Sequence, residues 1–406
     1  MNNAKDRAGP VTVPSSDWAA PTRPAAEPQP YGLVFSGSGS EYFRIWIVNL
    51  LLSLVTLGLY YPWAKVRKLR YFYGNTELAG HAFDFHGDPW RMLRGYLLVG
   101  ALFAAYALAG QVSPLAGLVA LAIVAGLWPM LLCASMRFRL AQTSWRGLRF
   151  HFNGDGHGAY RAVVPGFLPV VIFVAVMALA MPEQAAEGQA AQAPSALAIT
   201  LLVLSMLAMF ATGPLAWWLI KRYQHNNYQF ASVRTRWTAS LGQMFGLQFK
   251  TAGVALLALL LGGAVAALLG FASVGALRGN RAAGIVAGIV AVIAIYGVMI
   301  LVVQPYAVSR LQNLVWSRTE SRSIGYDSAL AFAPLARLSF VNWFLVLLTL
   351  GLYWPFAAIA TARLRLQAVT VLARSDLDRL VARARSGDVD ASGDAAADLF
   401  GIDVGL

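Results

Sequence analysis

The 406-residue chain has little charge and almost no cysteine. Charged residues make up 13% of the chain, against roughly a quarter of an average soluble domain, while 58% of the residues are hydrophobic. This balance excludes an ordinary soluble globular domain. The single cysteine, Cys133, excludes an intrachain disulfide.

The sequence also lacks the short motifs of common enzyme and cofactor sites. It contains no G-x-x-x-x-G-K-[ST] nucleotide loop, no H-E-x-x-H zinc helix, no G-x-S-x-G nucleophile turn and no spaced Cys/His zinc pattern. The long apolar runs carry no ionisable residue at mid-depth, where intramembrane enzymes and proton-coupled carriers usually need one. We therefore expect no enzyme activity, no catalytic residue, no cofactor and no metal site.

Long apolar runs dominate what is present. Six runs are about 18 to 25 residues long, enough to cross a bilayer core of about 30 Å. They occupy residues 92–110, 114–136, 161–181, 198–220, 251–276 and 283–305, and two shorter runs cover 45–61 and 338–354. With a mean hydropathy of +0.57, the pattern predicts a polytopic membrane protein.

Parts of the chain resemble one another. Residues 44–70 match residues 337–363, and residues 76–88 match residues 143–155 in a Phe-x-Phe pattern closed by Gly-Asp, which is typical of a short strand entering a turn. A proline followed eight residues later by a base also recurs. Together these patterns predict about five divergent repeat units, at 31–75, 76–142, 143–227, 228–318 and 319–372.

The basic residues predict the topology. Four long linkers, at 65–91, 137–161, 221–250 and 310–337, are rich in Lys and Arg, as cytoplasmic loops are. This explains the formal net charge of +13 without a nucleic-acid partner. The two shorter apolar elements leave two alternatives: each turns back half-inserted in the membrane, or each is an ordinary span. In the first case both termini are cytoplasmic.

The sequence thus predicts an all-α polytopic membrane protein. It would have six long transmembrane helices, two related half-inserted or spanning elements near the N- and C-termini, and short strand-turn cytoplasmic linkers built on internal repeats. We expect residues 1–30 to be a disordered tail, residues 31–372 to form the membrane domain, and residues 373–406 to form a cytoplasmic basic helix and a disordered tail.

Three groups of residues are candidates for a functional role. Asn49 and Asn342 are an intramembrane polar pair, suited either to a solute path or to hydrogen bonds between helices. Candidates for the break and exit of the two short elements are Gly58, Pro62, Gly351 and Pro355. Candidate bases for anionic lipid headgroups are Arg70, Arg137, Arg222 and Arg363.

The N-terminal part carries a dense family pattern. It reads F-x-G-x-G-x-E-Y-F at 35–43, T-L-G-x-Y-x-P-W at 56–63, V-R-x-x-R-Y at 66–71 and N-T-x-L-x-G-x-x-F-x-F-x-G at 75–87. This resembles the YjgN-like family of bacterial inner-membrane proteins, a family of unknown function; Phe85 replaces the usual Tyr. The resemblance implies a bacterial cytoplasmic membrane location and transfers neither an activity nor a site residue.

Two functions remain open from the sequence. The first is a transport or permeation unit for a small or amphipathic solute, because repeated, proline-marked membrane elements are typical of transporter sites. The alternative is a non-enzymatic membrane scaffold or lipid-interacting protein that binds an unidentified partner protein through its cytoplasmic linkers. In both cases the expected partner is the lipid bilayer, with anionic headgroups near the bases.

Overall fold

The computed structural model describes residues 27–180, 195–276 and 288–388, except positions 291, 293 and 294. The disorder expected for residues 1–30 therefore falls almost entirely outside the described residues, as does the tail beyond residue 388.

Helices make up most of the described chain. In order they are α1 (Gly39–Val55), α2 (Tyr61–Gly74), α3 (Pro89–Val112), α4 (Pro114–Ala141), α5 (Gly156–Ala180), α6 (Ala196–Asn226), α7 (Leu241–Ala276), α8 (Gly288–Ser317), α9 (Phe332–Leu348), α10 (Trp354–Gln367) and α11 (Leu377–Asp388). Helices α3 to α8 are long and apolar enough to cross a membrane. The six long apolar helices predicted from the sequence are thus confirmed.

The expectation of an all-α fold is wrong, because short strands in the linkers join into one sheet. They are β1 (Gln29–Phe35), β2 (Thr76–Leu78), β3 (His81–Phe85), β4 (Thr143–Trp145), β5 (Leu148–Phe152), β6 (Tyr228–Phe230), β7 (Val233–Arg234), β8 (Arg236–Trp237), β9 (Thr319–Glu320), β10 (Ile324–Ser328) and β11 (Val369–Ala373). The sheet is antiparallel, in the order β7-β6-β5-β4-β3-β2-β1-β11-β10-β9-β8.

The sheet is nearly closed into a barrel. Its two edge strands, β7 and β8, are consecutive in the chain and separated only by Thr235. Strand β1 joins the two ends of the chain, since its first half pairs with β11 and its second half with β2. The near closure leaves little free sheet edge, which is the usual protection of a β-structure against unwanted strand pairing.

Tight turns of one kind connect the strands within two of the linkers. Between β2 and β3, Ala79 and Gly80 have φ values of 50° and 75°; between β4 and β5, Arg146 and Gly147 have φ values of 53° and 81°. Two successive positive φ values are the backbone of a type I′ turn, whose twist suits a two-residue hairpin. Gly80 and Gly147 explain why these two linkers fold back as hairpins.

All helices up to α10 are arranged as five helical hairpins that begin and end at the sheet. One backbone hydrogen bond ties the entry of each hairpin to its exit: Ser36 N to Asn75 O (2.9 Å), His86 N to Gln142 O (2.8 Å), Asn153 N to Asn227 O (2.9 Å), Thr238 N to Arg318 O (2.8 Å) and Ala329 N to Ala368 O (2.9 Å). The first and last hairpins, α1–α2 and α9–α10, therefore return to the side from which they start. Each of the two short elements therefore turns back as a hairpin, and neither crosses as a single span.

The ten helices form a ring. Each helix packs on the helices before and after it in the chain, and α10 packs on α1. Between 6% and 17% of the residues in the apolar window of each long helix are buried. So little burial is expected of a single layer of helices, in which each helix contacts only two neighbours.

Helix α11 fills the sheet. Leu377, Leu380 and Val381 are buried in a core with inward-facing strand residues such as Trp145 and Phe230. The spacing of these three aliphatic residues puts them on one face of the helix. The interior of the barrel-like sheet is therefore a packed core.

Polar contacts hold α11 in place at one end of the sheet. Arg146 Nη1 lies 2.6 Å from Asp378 Oδ1, and Arg385 Nη2 donates to Arg146 O at 2.8 Å. Arg146 belongs to the turn between β4 and β5, so this attachment connects the C-terminal helix to a strand turn more than 200 residues earlier in the chain.

Candidate functional site

The junction between the helix ring and the sheet contains most of the polar side chains predicted as candidates. Three of the four predicted lipid bases are bound to the protein there. Arg70 Nη2 donates to Gly87 O at 3.2 Å, and Arg137 Nη2 donates to Gly154 O at 2.7 Å. The third bond, from Arg363 Nη2 to Gly37 O at 2.8 Å, closes the ring between its last and first hairpins. These contacts, here called the arginine latches, fix a helix to the loop after a strand.

Arg222, the fourth predicted base, makes a different contact. Its guanidinium carbon lies 4.8 Å from the centroid of the Trp218 ring, a cation–π distance. Trp218 in turn donates from Nε1 to Ala239 O at 2.9 Å, in the loop after β8. In this hairpin it is the Trp218 side chain, and not the arginine, that bonds to the loop after the strand.

The glycine in each latch is required by a phenylalanine two residues earlier. Phe35, Phe85 and Phe152 end their strands and are buried. A Cβ added to Gly37, Gly87 or Gly154 would lie less than 3.0 Å from the preceding Phe ring. In the Phe-x-Gly pattern of the linkers, the phenyl ring can therefore pack against the glycine backbone. The glycine carbonyl remains free to accept a hydrogen bond from the arginine.

Gly58 and Gly351 lie in the turns of the first and last helical hairpins. Their φ values are 89° and 93°, and each follows a leucine that also has a positive φ. A glycine adopts this conformation without steric cost. Pro62 and Pro355 are buried at the start of α2 and α10, where a proline removes no helical hydrogen bond. The structure places all four residues at the break and exit of these elements.

Asn49 and Asn342 are buried on α1 and α9, inside the two short hairpins. Asn342 Nδ2 lies 3.4 Å from Ala357 O and 3.2 Å from Thr361 Oγ1, so it joins α9 to α10. The Oδ1 atoms of both asparagines have no hydrogen-bond partner among the described residues. Asn342 therefore forms hydrogen bonds between two helices through its Nδ2, and its Oδ1 remains able to accept a further hydrogen bond.

Sequence reasoning missed a cavity of about 230 Å³ at the helix–sheet junction. It lies between α2, α3, α4 and β3. Two bases, a tyrosine and four apolar residues line it: Lys65, Arg139, Tyr73, Leu69, Phe85, Met92 and Phe138. One difference in the sequence could have indicated the cavity. Lys65 is basic, whereas the residues at the corresponding positions of the second and last hairpins, Leu132 and Ala358, are apolar.

The charges of this cavity are not balanced within the described chain. Burial, and then the nearby positive charge of Arg139, lower the pKa of Lys65 from its ordinary value. Beside the same arginine, burial raises the pKa of the Tyr228 hydroxyl to about 12, so this group stays neutral at physiological pH. The junction is therefore electropositive at this point.

A second base with a lowered pKa, Arg365, shows how the fold pairs such a group elsewhere. Burial lowers the pKa of Arg365, but its side chain is paired. Arg365 Nε donates to Gln312 Oε1 at 2.8 Å, and Gln312 Nε2 donates back to Arg365 O at 2.9 Å. This reciprocal contact gives Arg365 a role in holding α10 against α8.

Comparison with known proteins identifies relatives. A family model described as bacterial protein of unknown function (DUF898) matches residues 30–399. The chain is 33% identical over 152 residues to inner membrane protein YjgN of Escherichia coli K12, a match that covers 36% of each chain. It is 28% identical over 159 residues to the Salmonella typhimurium protein of the same name, covering 38% of this chain and 40% of the relative. The matches thus span well under half the length of these relatives, and no solved structure matches the chain.

Proposed function

Because the chain belongs to the DUF898 family of bacterial proteins of unknown function, we propose that it is a multi-pass inner-membrane protein that acts, without enzyme activity, as a permeation unit for a small or amphipathic solute. The observation that carries this proposal is the single-layer ring of ten helices beneath a sheet that α11 fills. The names of the relatives support the location.

A ring of this kind suits permeation because it leaves helix surface unpacked. In a solid bundle, side chains from several helices meet in one central core. In this ring each helix packs on its two neighbours, so the faces directed towards the ring axis are available to line a path. The five hairpins also share one orientation, since each begins and ends at the sheet. This differs from inverted-repeat carriers and favours a channel-like path closed at one end by α11.

Flux into proteoliposomes tests the proposal. Urea, glycerol and potassium chloride serve as osmotic probes, and swelling is followed by light scattering. We expect faster swelling than in protein-free liposomes for at least one probe. We expect a further increase for Arg146→Ala, which removes the side chain that holds α11 at Asp378, and for a chain ending at Ala373.

Arg379→Ala is the matched control, because Arg379 is an exposed base on α11 that, within the described chain, pairs only with the neighbouring Asp376 at 3.6 Å. It should swell at the rate of the unchanged protein. Swelling at the protein-free rate for every probe, in the unchanged protein and in a reconstituted Arg146→Ala protein alike, would rule the permeation proposal out.

The proposal places the sheet, and with it both ends of the described chain, in the cytoplasm. Strand β1 and helix α11 both lie in the sheet assembly, and the bases of the linkers favour the cytoplasmic side. In a Cys133→Ala background, the exposed position of Ala382→Cys should react with a membrane-impermeant thiol reagent only after permeabilisation. Ala186→Cys, which lies between Glu183 and Glu187 in the connection from α5 to α6, should react in intact cells. Reaction of Ala382→Cys in intact cells would reverse this orientation.

A further inference from the structure

The cavity between α2 and α4 brings two positive side chains to one small space. Lys65 lies on α2, about one turn after its first residue, Tyr61, and Arg139 lies in the last turn of α4. Arg139 is exposed, whereas Lys65 is partly buried. The cavity they share is therefore lined by one exposed and one partly buried positive side chain.

None of the described residues that line this cavity is acidic. Among the residues that the structure describes, neither Lys65 nor Arg139 makes an ion pair or a side-chain hydrogen bond. The acidic residues of the adjoining strand and loop are used elsewhere: Asp84 lies 3.7 Å from His86, and Asp88 accepts from Trp90 N at the start of α3. Two like charges that meet without a counter-charge are unfavourable.

The fold itself does not require a base at position 65. The related positions of the second and last hairpins are Leu132 and Ala358, which pack in apolar clusters. Lys68, one turn further along α2, is exposed to solvent as an ordinary interfacial lysine is. The partial burial of Lys65 lowers its pKa, a cost that a bound anion would offset.

We propose that this cavity binds the phosphate group of an anionic ligand, with Lys65 and Arg139 as its two positive contacts. Arginine offers a planar fork that suits two phosphate oxygens, and lysine offers a compact point charge, so the pair can share one group. Tyr73 also lines the cavity. The apolar lining, which includes Phe85 and Phe138, accommodates the hydrocarbon of a phospholipid but does not exclude free phosphate.

Thermal unfolding of the full chain tests this site and distinguishes the two sources of phosphate. In neutral detergent, the protein is titrated with sodium phosphate against sodium chloride at equal ionic strength. In parallel, nanodiscs of phosphatidylcholine are compared with nanodiscs that contain phosphatidylglycerol. A ligand that binds only the folded state raises the unfolding midpoint as its concentration rises. Stabilisation by sodium phosphate assigns free phosphate, and stabilisation by phosphatidylglycerol alone assigns the lipid headgroup.

The variants are Lys65→Gln and Arg139→Gln, with Lys68→Gln as the matched control that removes the same charge from the exposed face of α2. Loss of one charged hydrogen bond should weaken binding by roughly tenfold or more. Arg139 is exposed, so its substitution tests the site even if Lys65→Gln does not fold. The proposal is overturned if neither source stabilises the unchanged protein, or if the Gln variants at both cavity positions respond as Lys68→Gln does.

Discussion

Replacement of Gly154 by alanine is expected to lower the free energy of unfolding by about 3 kcal/mol, at the upper end of the usual cost of overpacking a core. The added Cβ would lie within 3.0 Å of the Phe152 ring and of the Tyr223 ring and hydroxyl. Both rings are buried in one cluster with Ala159 and Val163, so a shift of either ring would disturb packed neighbours. Tyr223 is further fixed because its hydroxyl donates to Asp155 O at 2.8 Å.

The clash would also disturb an arginine latch, because Gly154 O accepts Arg137 from both Nε and Nη2. Denaturation in detergent measures the loss. Gly156→Ala is the matched control: it lies two residues away and its added Cβ meets nothing within 4 Å. We expect it to remain within about 0.5 kcal/mol of the unchanged protein, as surface substitutions usually do. Equal unfolding midpoints for the two variants would show that the Phe-x-Gly geometry does not constrain this loop.

The strands could be predicted from the sequence only as local elements. The Phe-x-Phe pattern and the Gly turns correctly indicated short strands in the linkers, but not their partners. Phe85 pairs with Thr143 across a complete helical hairpin, and Gln29 pairs with Ala373 across almost the whole chain. Strands of two to seven residues are too short to specify such pairing by themselves. The order is set by the helices that bring the linkers together.

The predicted and missed site residues differ for a related reason. Asn49 and Asn342 could be found because a polar side chain inside an apolar run is conspicuous. Lys65 could not, because a base just after aromatic residues is typical of the interface between a membrane helix and a cytoplasmic loop. The structure distinguishes it from Lys68 by burial and by a cavity whose walls come from three other elements. Spacing along one helix does not contain that information.

The recurrence of the latch arginines in the sequence did not reveal their hydrogen-bond partners. Their recurrence eight residues after a proline was visible in the sequence, and charge alone suggested lipid contact. In the described structure they donate to backbone carbonyls, Gly87 and Gly154 for Arg70 and Arg137, and Gly37 for Arg363, while lipid contact stays a prediction. The last contact spans most of the chain, so it depends on ring closure. A base near a membrane interface can therefore have a packing role that no local pattern reveals.

Replacement of Val381 by aspartate is expected to displace α11 from the sheet at a cost of about 3–5 kcal/mol, the usual range for an uncompensated buried charge. Val381 is 2% exposed and packs with Trp145, Phe230 and the other apolar residues of the sheet core. The carboxylate would have to remain there unpaired or take up a proton, and both are unfavourable. Leaving the sheet allows it to reach water. Limited trypsin digestion measures this, because displacement exposes the backbone at Arg379, Arg383 and Arg385 to cleavage.

Ala382→Asp provides the control, since it introduces the same charge at the adjacent, exposed position of α11. It should be cleaved at the rate of the unchanged protein and unfold at the same temperature. Accelerated cleavage of the Val381 variant with an unchanged unfolding midpoint would mean that α11 detaches as a separate unit and that the sheet holds together without it. Accelerated cleavage with a lowered midpoint would mean that the helix is an integral part of the sheet core. Equal cleavage of the two aspartate variants would contradict the buried docking of α11, because the same charge would then cost nothing inside the sheet.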